Sequence, residues 1–132
     1  AAIPVIEMSL DRSLNPALHS AAGRALSALR DEGVLIIGSG MSFHNMRAYG
    51  DPRATDASRQ FDQWLSDACT ATADIRATQL NDWATAPGGR FSHPREEHLI
   101  PLMVAAGASG EPGEKQFGAL VMETAISGFA WK

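Results

Sequence analysis

The sequence is short of several things, and each shortage narrows what the chain can be. Cys69 is its one cysteine. It can close no internal disulfide, which points to a reducing, cytoplasmic setting. Lys and Arg number 11 against 15 Asp and Glu, for a net charge of −4, and they nowhere cluster. Neither nucleic acid nor an anionic membrane surface is therefore indicated as a partner. No apolar run approaches the roughly 20 residues that a membrane-spanning helix needs. No basic stretch followed by an apolar one opens the sequence, so no secretory signal is visible. Repeats and low-complexity tracts are missing too. What is there is a chain of 132 residues with an ordinary 45% apolar content, which suits one domain with one core.

The most organised stretch is Val34-Leu-Ile-Ile-Gly-Ser-Gly-Met-Ser-Phe-His-Asn45. Four uninterrupted apolar residues bounded by glycine read as a strand buried on both faces. Upstream, Ile3 to Ser9 reads as another strand, with Pro4 near its start, where a missing donor is tolerated. Between them Asn15-Pro16 is a helix-start signal. Leu18, Ala22, Ala25, Leu26 and Leu29 give that helix an apolar face as far as Arg30, and Gly33 ends it. Strand, helix and strand with short joints predict a βαβ unit with parallel strands, and hence an α/β fold. Further on, the spacing predicts helices over Asp56–Thr70 (core face Phe61, Trp64, Leu65, Ala68) and Ala73–Trp83 (Ile75, Leu80, Trp83). A third helix is predicted over Pro94–Ala106 (Leu99, Leu102, Met103, Ala106), bent at Pro101. Gln116–Glu123 reads as a strand and Gly128–Trp131 as an edge strand.

Four histidines are candidates for chemistry. His19 falls on the polar side of a surface helix and reads as solvated. His44 and Asn45 follow the glycine turn, near the C-terminal edge of the central strand, where open α/β sheets bind ligands. His93 precedes Pro94 and reads as a helix N-cap, and His98 follows one turn further in. Neutral imidazole is a common metal ligand, and Glu96 or Glu97 could hold its second ring nitrogen. Spaced five apart, however, His93 and His98 diverge by more than about 100° around a helix and need not share an ion. Other motifs fail. Gly38-Ser-Gly40 continues to Phe43 where a dinucleotide fingerprint has its third glycine. Ser39 is not in a Gly-x-Ser-x-Gly elbow, and a Ser39/His44 hydrolase has no evident acid partner. On spacing alone, a buried strand with an incidental loop histidine stays open beside a functional site.

At these two stretches the sequence resembles a family. Ile37-Gly-Ser-Gly-Met-Ser-Phe-His-Asn-Met46 is similar to the Ser-Gly-x-x-x-His-Asn-Leu segment of class III extradiol dioxygenases, the LigB superfamily. His93-Pro-Arg-Glu-Glu-His-Leu-Ile-Pro-Leu102 followed by Gly107-Ala108 resembles the His-Pro-x-x-Glu-His-x-x-Pro-Leu and Gly-Ala segments of its DOPA-dioxygenase-like branch. Met122 to Trp131 is similar, more loosely, to the final strands. The resemblance covers residues 1–132 as one domain, but only the C-terminal half of a family member. It implies a three-layer α/β/α architecture with a mostly parallel or mixed central sheet, of which this chain is about half. It also implies non-haem Fe(II), with Zn as a possible substitute, and a catechol-type aromatic and O2 as substrates. By residue, His98 matches a metal ligand and His44 the non-ligand acid/base histidine. His93, with Asn45 and Ser39, is placed on the substrate side. The family's Gly-His-Gly-type and Ser-x-His-Trp-type segments, which carry two further metal ligands, do not occur here. The expectation is therefore a chain that needs a missing N-terminal half or self-association to complete its site. The reading set against it is a non-catalytic small-molecule or protein-interaction domain that keeps the fold.

Overall fold

The computed structural model describes residues 2–132. Its first helix, α1 (Pro16–Leu26), starts where the sequence places it, with Pro16 in the first turn and the Asn15 side chain accepting from the Leu18 N–H at 3.0 Å. It stops earlier than expected. Ser27 Oγ donates to the Arg24 carbonyl at 2.8 Å and breaks the ladder, and a short α2 (Ala28–Asp31) follows. Gly33 then turns the chain with φ of 81°, a conformation that glycine adopts without strain.

The face that α1 turns inward is not the expected leucine face. His19, Ser20 and Gly23 are buried, whereas Leu18 and Leu29 are 49% and 36% exposed. The reason is a close helix crossing. A Cβ on Gly23 would be driven into the Val104 carbonyl of α6 (Ile100–Gly107), and one on Gly107 into the Ser20 carbonyl. Only small residues allow that approach.

The core agrees with the predicted periodicity except at Ile75, which is 52% exposed. Helix α3 (Thr55–Thr70) buries Phe61, Leu65 and Ala68, and α4 (Ala73–Asn81) buries Leu80. They pack with Trp83, Leu99, Ile100, Met103 and Ala106 in one cluster. Trp83 itself begins a short 3-10 turn (Trp83–Thr85) that separates α4 from α5 (Gly89–Ser92). Cys69 lies in this core, where burial pushes its thiol up to about 12 and leaves it inert. Arg76 is buried without a carboxylate partner. Its guanidinium donates to the carbonyls of Ala106, Ser109 and Glu111, tying α4 to the end of α6.

The strands depart most from expectation. Ile3–Ser9 and Val34–Gly38 are drawn-out chain without a hydrogen-bonded neighbour, and the parallel βαβ unit is not formed. Ile3, Val5 and Ile6 are 86%, 83% and 94% exposed, and Leu35 and Ile37 are 80% and 75% exposed. A strand is defined by its partner, and none is present for these segments among the described residues. The sheet that does form is antiparallel, from β1 (Glu114–Val121) and β2 (Thr124–Ala130) joined by a tight turn. Strand β2 packs on α3, and two of its N–H groups are taken by side chains. Ala125 N–H donates to Ser58 Oγ at 3.0 Å and Ser127 N–H to Ser42 Oγ at 2.8 Å. Among the described residues, no helix is long and apolar enough to cross a membrane.

Candidate active site

The Gly-Ser-Gly segment positions both halves of the site. A Cβ on Gly38 would be driven into the Pro101 carbonyl, and one on Gly40 into the His98 carbonyl. Glycine is what lets this strand-like segment lie directly on the turn that precedes α6. Met41 N–H then donates to the His98 carbonyl at 2.9 Å. The chain next enters a loop anchored by Phe43, which is buried and packs on Tyr49 and Phe91 at ring-centroid distances of 5.5 and 6.3 Å. Tyr49 OH donates to the Phe43 carbonyl at 2.8 Å. Its partial burial holds its pKa above the usual phenol range.

The loop that follows is laced to the segment ending α5. His44 N–H donates to the Ser92 carbonyl at 2.9 Å, and Asn45 Nδ2 donates to the Phe91 carbonyl at 2.8 Å. Together these contacts bring the imidazoles of His44 and His98 face to face, with centroids 3.6 Å apart and planes 22° from parallel. Ring-nitrogen lone pairs lie in the ring plane. Two stacked imidazoles therefore do not both aim at one ion, and the pair suits two different tasks rather than joint ligation.

His98 lies two residues before α6, not one turn inside a helix. The segment 94–99 turns instead of forming the start of the predicted helix, and Pro101 falls in the first turn of α6, where it bends nothing. The His98 side chain is 42% exposed, while its Nδ1 is shielded and has no hydrogen-bond partner, with Glu97 Oε1 3.9 Å away. Glu97 is beyond hydrogen-bond reach, and Glu96 is occupied by Arg90 at 2.9 Å. Neither glutamate holds an imidazole N–H, contrary to the expectation from the sequence.

His93 is the C-cap of α5 rather than the N-cap of a following helix. Its ring is wholly buried, edge-on to Phe61 and Trp83, and Nε2 donates to the Ser42 carbonyl at 2.9 Å. Burial holds it at about 4, so the ring is neutral. It faces Phe61 and Trp83 in the core and lines no part of the open surface. Asn45 is half-buried in its loop, and Ser39 is exposed.

His19 is not solvated. It is buried, with Nδ1–H donating to the Asn15 carbonyl at 2.7 Å and Nε2 accepting from the Asp11 N–H at 3.1 Å. It secures the turn before α1, and no periodicity signal distinguishes that role from exposure. Ser42, whose hydroxyl and carbonyl both bind other segments, also escaped the sequence reading, because nothing local marks its partners.

A groove of about 660 Å³ is lined by His98 but not by His44, together with Val34–Gly38, Met41, Leu102, Ala105 and Ser127–Trp131. Among the described residues, no three His, Cys, Asp or Glu side chains gather to hold a metal ion. His98, whose Nδ1 has no hydrogen-bond partner, offers one donor atom to such an ion.

Residues 1–129 match the family described as the catalytic LigB subunit of aromatic ring-opening dioxygenase. Over 116 residues the chain is 40% identical to a 4,5-DOPA dioxygenase extradiol of Beta vulgaris, covering 84% of this chain and 41% of that protein. It is 33% identical over 111 residues to the protein of the same name from Escherichia coli K12, covering 82% of this chain and 41% of that protein. The crystal structure of an uncharacterized Escherichia coli K12 protein superimposes with a TM-score of 0.74 at 29% identity, covering 90% of this chain and 52% of that one. The chain thus spans about two-fifths of the length of these curated relatives. With both motif segments inside the matched region and their histidines stacked, the chain belongs to the LigB family of aromatic ring-opening dioxygenases, in its DOPA-dioxygenase-like branch.

Proposed function

We propose that this chain is the C-terminal part of an extradiol dioxygenase that opens a catechol-type ring with O2 at a non-haem Fe(II). Zn would be a possible substitute in the same site. The observation that carries the reading is the His44–His98 stack beside the groove, built by the two segments that resemble the family's motifs. His98 would be one metal donor, and the remaining donors would come from outside this chain. Fe(II), when bound, supplies a single centre at which substrate and dioxygen meet. The chain's own contribution is positional and protonic. A ring nitrogen of His44 takes a proton from a catechol hydroxyl as the substrate binds and returns it during ring opening, a task suited to the side chain whose ordinary pKa lies nearest neutrality. The contacts around Phe43 and Asn45 hold that ring still.

The finer fold follows from the same reading. The unpaired segments Ile3–Ser9 and Val34–Gly38 would join a mostly parallel or mixed sheet completed by the rest of the protein, giving the three layers that the resemblance implies. The test is made in the full-length protein. His98→Ala is expected to lose iron, whereas His44→Ala keeps iron and loses roughly 10²–10⁴ in turnover. Equal loss of iron in both variants would overturn the division of roles. A wild-type protein that binds no iron would favour the non-catalytic domain.

A further inference from the structure

The resemblance places His93 on the substrate side, yet the structure buries it in the core. Its ring is sealed from solvent, with the rings of Phe61 and Trp83 edge-on at centroid distances of 5.5 and 5.9 Å. Its Nε2–H reaches the Ser42 carbonyl at 2.9 Å. Ser42 is held a second time, through its hydroxyl, by the Ser127 N–H of β2 at 2.8 Å. Two residues later the His44 N–H is caught by the Ser92 carbonyl, immediately before His93. The loop bearing His44 is thus pinned at both ends by the 92–93 step, with the buried aromatic pair fixing the angle of the pin.

From this geometry we infer that His93 is a positioning residue for His44, acting through the Ser42 carbonyl rather than touching substrate or metal. This rests on the reading of His44 as the acid/base group. The chemistry requires a flat ring that fills an aromatic slot and one N–H donor at its far edge. Phenylalanine supplies the first without the second. Glutamine supplies a donor at the same reach, because its Nε2 amide can occupy the place of the imidazole Nε2. Losing the donor leaves the Ser42 carbonyl without this partner and frees the loop to shift. Displacements of that kind act on the rate of a positioned reaction more than on substrate binding.

The experiment compares His93→Phe, His93→Gln and His44→Ala in the full-length, iron-loaded protein. Iron content, kcat, KM and hydrogen exchange at the His44 amide are measured for each. His93→Phe is expected to keep iron and a KM within about twofold, to lower kcat about tenfold or more, and to exchange the His44 amide faster. His93→Gln is expected to recover most of the lost kcat. Unchanged kcat in a folded His93→Phe would overturn the inference. So would a change confined to KM, which marks a substrate contact, or lost iron, which marks a ligand. If His93→Phe does not fold, the Gln variant decides, and a folded Gln variant with kcat down about tenfold would overturn the inference. Full turnover in His44→Ala would sink the acid/base reading and this inference with it. Lost turnover in His44→Ala beside a normal His93→Phe would sink the inference alone.

Discussion

His93 shows how a single buried group sets a pH dependence. Burial lowers its pKa from 6.5 to about 4, against the pull of the Ser42 hydrogen bond. Above about pH 6.5 the ring is neutral whether the chain is folded or not. Between that value and about 4, the unfolded chain takes up a proton that the folded ring refuses, so stability falls as the pH drops through this window and levels below it. The expected cost at the acid end is a few kcal/mol at most. Urea midpoints measured between pH 7 and 4 should fall more for the wild type than for His93→Gln, and parallel curves would contradict this. Gly40 is the second telling residue. Gly40→Ala forces a Cβ into the His98 carbonyl and should part the Met41–His98 hydrogen bond. A destabilisation of about 1–3 kcal/mol is expected, with weakened iron binding in the full-length protein. Thermal melting and metal analysis check both.

Among the elements, the β1–β2 turn is under local strain. Met122 and Glu123 both have positive φ, 47° and 64°, a geometry that hairpins usually assign to Asn-Gly. The turn is held from outside, by Gly50 N–H on the Met122 carbonyl at 2.8 Å and Thr55 Oγ1 on the Glu123 carbonyl at 2.9 Å. Replacing the pair by Asn and Gly should stabilise the chain by about 1 kcal/mol, seen as a raised melting temperature. Arg76 links α4 to the end of α6 through backbone carbonyls alone. Arg76→Met should cost about 3 kcal/mol or more, because several carbonyls lose their donor at once. Arg76→Lys should rescue it poorly, since an ammonium lacks the planar fork. Denaturant melts of the two variants check the order.

At the scale of the molecule, exposed apolar surface dominates. Ile3, Val5 and Ile6 in the N-terminal stretch and Leu35 and Ile37 in the groove-lining segment stand open. Such surface and unpaired strand backbone favour association. The isolated 132-residue chain should therefore self-associate, bind Fe(II) weakly and form no ring-opened product. Sedimentation, anaerobic Fe(II) titration and a catechol assay with oxygen check the three. Stoichiometric tight iron with steady product would show that the chain completes its site by itself or across copies.

What the sequence determined by itself is what depends on short range. The Asn15-Pro16 start of α1, the core faces of α3 and α6, and the turn at Gly33 are set by caps, periodicity and glycine, and they stand in the structure. Two motif segments pointed to His44 and His98, whose rings the fold stacks. The tertiary structure decided whatever needs a distant partner. Ile3–Ser9 and Val34–Gly38 have strand composition but no neighbour to pair with, so their composition does not become a sheet. His19 and His93 are buried because backbone groups at Asp11 and Ser42 happen to meet them. The α1 face that packs is the small one, because a close crossing with α6 admits Gly23 and excludes leucine. Hydrogen bonds and packing between residues far apart in the chain leave no local mark, and that is where the sequence falls silent.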